Sequence, residues 1–142
     1  MEKLKKSVRN ITEIVVHCTA TPAVRDVTVA DVDRWHRQRG FNGIGYHYIV
    51  ALDGTVCPGR DVDLAGAHCR GHNSRSIGVC YVGGLDAPGR PADTRTVAQR
   101  LALHCLLSAL KRLYPGVVIR GHRDFAAKAC PCFDATSEYA AL

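Results

Sequence analysis

The chain has 142 residues and a formal net charge of +6, with 46% hydrophobic and 23% charged residues. That length fits one domain able to bury about two-thirds of its unfolded surface, and no apolar run approaches the roughly 20 residues that cross a bilayer. The positive balance favours a polyanionic partner, whether nucleic acid, membrane surface or acidic cell-wall polymer, but aromatics make up only 6% of the chain and its cations are dispersed outside the Lys3–Arg9 segment, which weakens the nucleic-acid reading.

Residues 1–10 read as a basic lead-in, loosely ordered or an edge element, ahead of a single domain over 11–142. Residues 13–18 hold the apolar run Ile14-Val15-Val16 and read as a buried strand closing on His17 and Cys18. Thr21-Pro22 opens a loop. Thr28 can cap a helix through about Arg39, with Asp31 three residues on, Val32 and Trp35 on the buried stripe and Gly40 as the stop. Tyr46 to Leu52 reads as a strand, Asp53-Gly54 as a hairpin turn and Thr55-Val56-Cys57 as the return. Period-two alternation puts Tyr46 and Tyr48 on one face and His47 on the other, as a buried, hydrogen-bonded histidine.

Residues 65–75 are a Gly-rich polar loop, 76–82 an apolar strand and 83–93 a surface excursion. Thr94 to about Tyr114 is the longest helix, with Val97, Leu101, Cys105, Leu106, Ala109, Leu110 and Leu113 at helical spacing. Val117-Val118-Ile119 is a short buried strand that delivers the loop from Arg120 to Cys130, and 138–142 is a tail. Strands interleaved with two good helices predict an α/β domain with one central mixed sheet flanked by helices. Seven cysteines is an odd number, so no disulfide framework is expected; Cys18, Cys57, Cys69, Cys80 and Cys105 read as buried, reduced thiols.

Chemistry concentrates at strand ends. His17 closes the first strand; His122 and Cys130 bound a short polar loop after the last. Neighbouring strands lie about 5 Å apart, so their ends can bring distant residues together. Two imidazoles and a thiolate make three ligands for zinc, and three-ligand sites keep a position open for water, the catalytic arrangement. Taken singly, His17 reads as a core histidine, His122 as exposed and Cys130 as a packed thiol. Spacing alone does not separate Cys130 from Cys132. Lys128 is either an oxyanion partner or a solvated lysine, and Tyr46 either a donor in the site or a core aromatic. His68 and Asn73 either contact substrate or hold their own loop. His36, His104 and Trp35 read as structural. No serine sits in a nucleophile elbow, and no phosphate-binding glycine loop is present.

From about residue 12 to residue 135 the chain resembles the type-2 N-acetylmuramoyl-L-alanine amidases, which include small phage amidases and the animal peptidoglycan recognition proteins. The resemblance rests on ordered segments along the chain: Val16-His17-Cys18-Thr19-Ala20-Thr21, Trp35-His36, Gly45-Tyr46-His47-Tyr48, Asp53-Gly54-Thr55, Gly66-Ala67-His68, His72-Asn73 with Ser76-Ile77-Gly78-Val79, Gly121-His122-Arg123-Asp124 and Lys128-Ala129-Cys130-Pro131. It implies a mixed sheet with a groove over one Zn2+ ion and cleavage between the lactyl group of N-acetylmuramic acid and L-alanine. It puts His17, His122 and Cys130 at the zinc-ligand positions, favouring Cys130 over Cys132, and Tyr46 and Lys128 at catalytic positions. Cys132 departs from the family, where a small or hydroxyl residue is usual. The implied partner is peptidoglycan or its muropeptides, met by a monomer made in the cytosol without a signal peptide and released to the wall at lysis, as a phage or prophage enzyme. A muropeptide-recycling enzyme and a non-catalytic wall-binding module are the alternatives.

Overall fold

A computed structural model describes residues 3–142. In chain order the elements are β1 (Glu13–Cys18), β2 (Thr21–Pro22), α1 (Val29–Gln38), β3 (Tyr48–Val50), β4 (Val56–Pro58), β5 (Ser76–Tyr81), β6 (Gly84–Leu85), α2 (Val97–Leu113), β7 (Val118–Gly121) and α3 (Ala135–Glu138), with single 3-10 turns at Asn73–Arg75 and His122–Asp124. Five strands form one sheet in the order β4-β3-β5-β1-β7. β3, β5, β1 and β7 run parallel and β4 pairs antiparallel with β3, so the predicted mixed sheet is present. β1 lies between β5 and β7, and its six-residue run is buried from Ile14 onward, as a central parallel strand must be.

The sheet separates two apolar clusters. Ile14, Val16, Val50, Ile77, Val79 and Tyr81 meet Leu103, Leu106, Leu107 and Leu110 of α2. On the opposite face Ile49, Cys80 and Val82 meet Val32 of α1. Both long helices begin with the capping box their sequences encode: Thr28 with Asp31, and Thr96 with Gln99. Gln99 also ties α2 to the sheet, since its Nε2 donates to the carbonyls of Val50 at 3.3 Å and Val82 at 2.9 Å.

Several expectations need correction. The buried stripe of α2 runs through Gln99, Leu103, Leu106, Leu107 and Leu110; Val97, Leu101 and Cys105 are exposed. The helix carries two apolar stripes, and the polar residue inside the true one hides it from periodicity. Thr21-Pro22 is strand β2, paired with β6 inside the predicted excursion. Tyr46 and Tyr48 diverge: β3 begins only at Tyr48, so alternation does not extend back, and Tyr46 packs on the α1 side while Tyr48 joins the α2 side. Residues 3–10, expected to be loose, are docked: the Ser7 amide donates to the Tyr114 hydroxyl (2.7 Å), the Ser7 hydroxyl donates to the Val62 carbonyl (2.6 Å), and Lys5 pairs with Asp61 and Asp63. Met1 and Glu2, also part of that segment, lie outside the described residues.

The expected tail is likewise anchored. Buried Arg95 bridges Asp93 and Glu138, donates to the Tyr139 hydroxyl and lies 3.4 Å over the Phe133 ring.

Candidate metal centre

The centre sits at the carboxyl ends of the parallel strands, where open α/β sheets hold their ligands. In β1, Ile14, Val16 and Cys18 face α2, so alternation turns His17 to the other face. Val16 pairs with Gly121, which brings His122, the next residue after β7, beside His17. The two imidazole rings lie 4.6 Å apart, centre to centre. The loop after His122 folds back through two backbone bonds, Arg123 N–H to the Cys130 carbonyl and Cys132 N–H to the Ala129 carbonyl, both 2.7 Å. Phe125 of this loop stacks on His72 with centroids 3.8 Å apart, and His72 Nδ1 lies 2.9 Å from Glu13 Oε1. Cys130 is thereby carried back to β1, and its Sγ accepts from the Cys18 amide at 3.2 Å.

One ligand atom from each of His17, His122 and Cys130 lies within 4.8 Å of the other two. His17 Nδ1 faces Cys130 Sγ at 3.8 Å. Burial first, then His68, His122, His36 and Lys128, hold the His17 imidazole well below its usual pKa; burial and Lys128 lower that of His122. Two imidazoles held neutral and one sulfur form a donor set that would suit zinc, three ligands being the number that catalytic zinc sites use.

The second thiol points elsewhere. Cys132 Sγ lies 3.4 Å from the Gly84 carbonyl and 3.8 Å from Cys18 Sγ, under β6, and its thiol is raised to about 12, by burial first and then by Cys18.

The cluster opens into a groove of about 700 Å3. Tyr46 lines it with its ring 5.0 Å from that of His17, and exposed Lys128 lines it from the loop between His122 and Cys130. Burial first, then the thiols of Cys80, Cys130 and Cys18, raise the Tyr46 phenol well above its usual pKa, which leaves it a neutral hydrogen-bond donor. His68 and Asn73 also line the groove but are committed internally. His68 Nδ1 lies 2.8 Å from His17 Nε2 and its Nε2 3.1 Å from the Ser76 hydroxyl. Asn73 Oδ1 accepts from the amides of His68 and Cys69, both 2.9 Å. His47 is buried as expected, with Nδ1 accepting from the Gly78 amide. His36 Nδ1 accepts from the Gly45 amide, whereas His104 is exposed on α2.

Sequence reading missed Arg39 and Arg70, which with Lys128 give the groove three cations and no acidic lining residue. Arg39 stacks over Phe41, 5.1 Å from its centroid, beyond the helix stop at Gly40; the arginine-aromatic pair flanking that glycine was the available signal. A larger concavity of about 830 Å3, between the N-terminal segment and the β3–β4 hairpin, holds none of the three cluster residues.

A family model described as N-acetylmuramoyl-L-alanine amidase matches residues 7–133. The endolysin of Klebsiella phage KP32 is 51% identical over 122 residues, covering 86% of this chain and 81% of that one. The endolysin of Escherichia phage T7 is 46% identical over 121 residues, covering 85% and 80%. Among solved structures, an N-acetylmuramoyl-L-alanine amidase from Clostridium intestinale superposes with a TM-score of 0.79 at 28% identity, covering 97% of this chain and 88% of that one. With most of its length matched, the chain belongs to the N-acetylmuramoyl-L-alanine amidase family and is an amidase of peptidoglycan.

Proposed function

We propose that His17, His122 and Cys130 hold one zinc ion, and that the chain hydrolyses the amide between the lactyl group of N-acetylmuramic acid and the L-alanine of the stem peptide, as a phage- or prophage-type lysis enzyme. The convergence of three neutral-nitrogen and sulfur donors at the floor of an open groove carries this reading. Zinc held there supplies a Lewis acid that polarises the scissile carbonyl and lowers the pKa of a water toward about 7.

The chain's own residues supply the rest. The neutral Tyr46 phenol donates a hydrogen bond to the oxygen on which charge develops, and the Lys128 ammonium at the groove edge offsets that charge. Arg39 and Arg70 attract the carboxylates of the stem peptide, which fits a groove lined by cations alone. Asn73 acts on substrate by shaping the wall it lines, while the two ring nitrogens of His68 are taken up by His17 and Ser76.

The chain works as one domain and a monomer, with no part for nucleic acid or membrane; no helix among the described residues is long and apolar enough to cross a bilayer. The lysis role draws support from the phage endolysins among its relatives, and it places the enzyme on the wall after release from the cytosol.

The test is to incubate zinc-replete protein with purified peptidoglycan and follow new N-terminal alanine by mass spectrometry. Release that stops with a chelator and returns with zinc is expected. Absence of that product, or undiminished release by metal-free protein, would overturn the reading.

A further inference from the structure

We propose that His68 is a positioning residue for the metal-facing imidazole of His17, and that His17, His68 and Ser76 form a directed hydrogen-bond chain behind the centre. The inference rests on the zinc reading above and deepens it. His17 has two ring nitrogens with two different neighbours: Nδ1 faces Cys130 Sγ, and Nε2 lies 2.8 Å from His68 Nδ1. A metal taken at Nδ1 needs the lone pair there, so the His17 proton sits on Nε2 and is donated to His68. His68 Nδ1 then accepts, its own proton sits on Nε2, and that proton is donated to the Ser76 hydroxyl at 3.1 Å. Every direction in the chain follows from the first.

The seat of His68 is built for one ring orientation. A Cβ on Gly66 would lie 2.5 Å from His68 Cδ2, and one on Gly78 would lie 2.7 Å from its Cγ, so the imidazole lies in a slot that two glycines leave open. The ring is buried, its amide is tied to Asn73 Oδ1 at 2.9 Å, and it stands edge-on to the His17 ring with centroids 4.9 Å apart. A side chain whose purpose was to reach substrate would not spend both nitrogens inside the protein. Partners behind a metal-binding histidine fix its tautomer and angle, and their loss lowers metal affinity by about 10–100-fold.

The test measures Zn2+ affinity by competition with a chromophoric chelator, and the absorption bands of the Co2+-loaded protein, in the parent, His68→Leu, His68→Asn and Ser76→Ala. Asparagine places an oxygen acceptor where His68 Nδ1 stood; leucine places none. Expected is a loss of about 10–100-fold in zinc affinity for His68→Leu with displaced cobalt bands, near-parent affinity and bands for His68→Asn, and a smaller loss for Ser76→Ala. Parent-like affinity in His68→Leu, or equal weakening in the leucine and asparagine variants, overturns the proposal. Should His68→Leu fail to fold, Ser76→Ala decides it, and unchanged affinity and bands there overturn the directed chain. A parent protein that takes up no stoichiometric zinc overturns the zinc reading itself, a result separate from any ranking of the variants.

Discussion

Both faces of the sheet bury apolar side chains, but the α1 face also gathers imidazoles. On the α2 face, Leu103, Leu106, Leu107 and Leu110 are fully buried against Ile14, Val16, Ile77 and Val79. On the other face, the same strands present His17, Gly78 and Ser76, with His47 and His68 packed over them, and side chains meet through hydrogen bonds as well as contacts. Every buried side-chain nitrogen and oxygen among the described residues nonetheless has a partner, so the polar face is a satisfied network. One strand thus serves both purposes: alternate residues of β1 secure the fold and orient the chemistry.

The sharpest way to break this division is at His17. Substitution by alanine is expected to abolish measurable release of N-terminal alanine and stoichiometric zinc uptake, while circular dichroism stays native. Retained turnover would show that the polar face does not carry the chemistry.

On the apolar face the effect reverses. Leu106→Ala leaves a cavity and is expected to cost about 2–5 kcal/mol of stability by urea denaturation, with zinc content and turnover per folded molecule unchanged. A selective loss of turnover without loss of stability would erase the distinction between the faces.

Tyr46→Phe removes one donor and little volume. It should lower kcat by about 10²–10³-fold, with zinc content and melting temperature held. A kcat within twofold of the parent would remove the phenol from the mechanism.

The last test sharpens the comparison through pH. Burial holds the His47 imidazole down to about 4 in the folded chain, against about 6.5 when unfolded. Between those values the unfolded chain binds the extra proton. The stability from keeping this ring neutral is therefore full above about pH 6.5 and falls as pH drops toward 4, by at most about 1.4 kcal/mol per pH unit. Urea midpoints measured across that window should decline with acid, and a flat profile would contradict the buried, neutral state.

What was legible in the sequence was local. The Thr28 cap with Asp31, the Asp53-Gly54 hairpin turn and the apolar run of β1 are written in neighbouring residues, and each formed as read. His17, His122 and Cys130 could be singled out together because strand-end positions and a familiar order of motifs both pointed to them, and the fold brings the three within reach of one another. The misreadings have a different origin. Which stripe of α2 faces inward depends on Gln99 finding the carbonyls of Val50 and Val82, a contact to residues 49 and 17 positions away in sequence. The turn of Tyr46 away from Tyr48 depends on where β3 begins pairing with β5. The sequence left open whether His68 contacts substrate or holds its own loop, because its seat exists only once Gly66 and Gly78 have come together.

The clamp around Arg95 bears on how the protein can be shortened. The family match ends at residue 133, yet Glu138 and Tyr139, which hold the buried guanidinium, lie beyond it. A minimal catalytic fragment cut where that match ends would leave that cation with Asp93 alone at the entrance to α2. A charge left short of counter-ions in the interior destabilises what surrounds it, so the last few residues belong to the folding unit even though they line neither the groove nor the His17, His122 and Cys130 cluster.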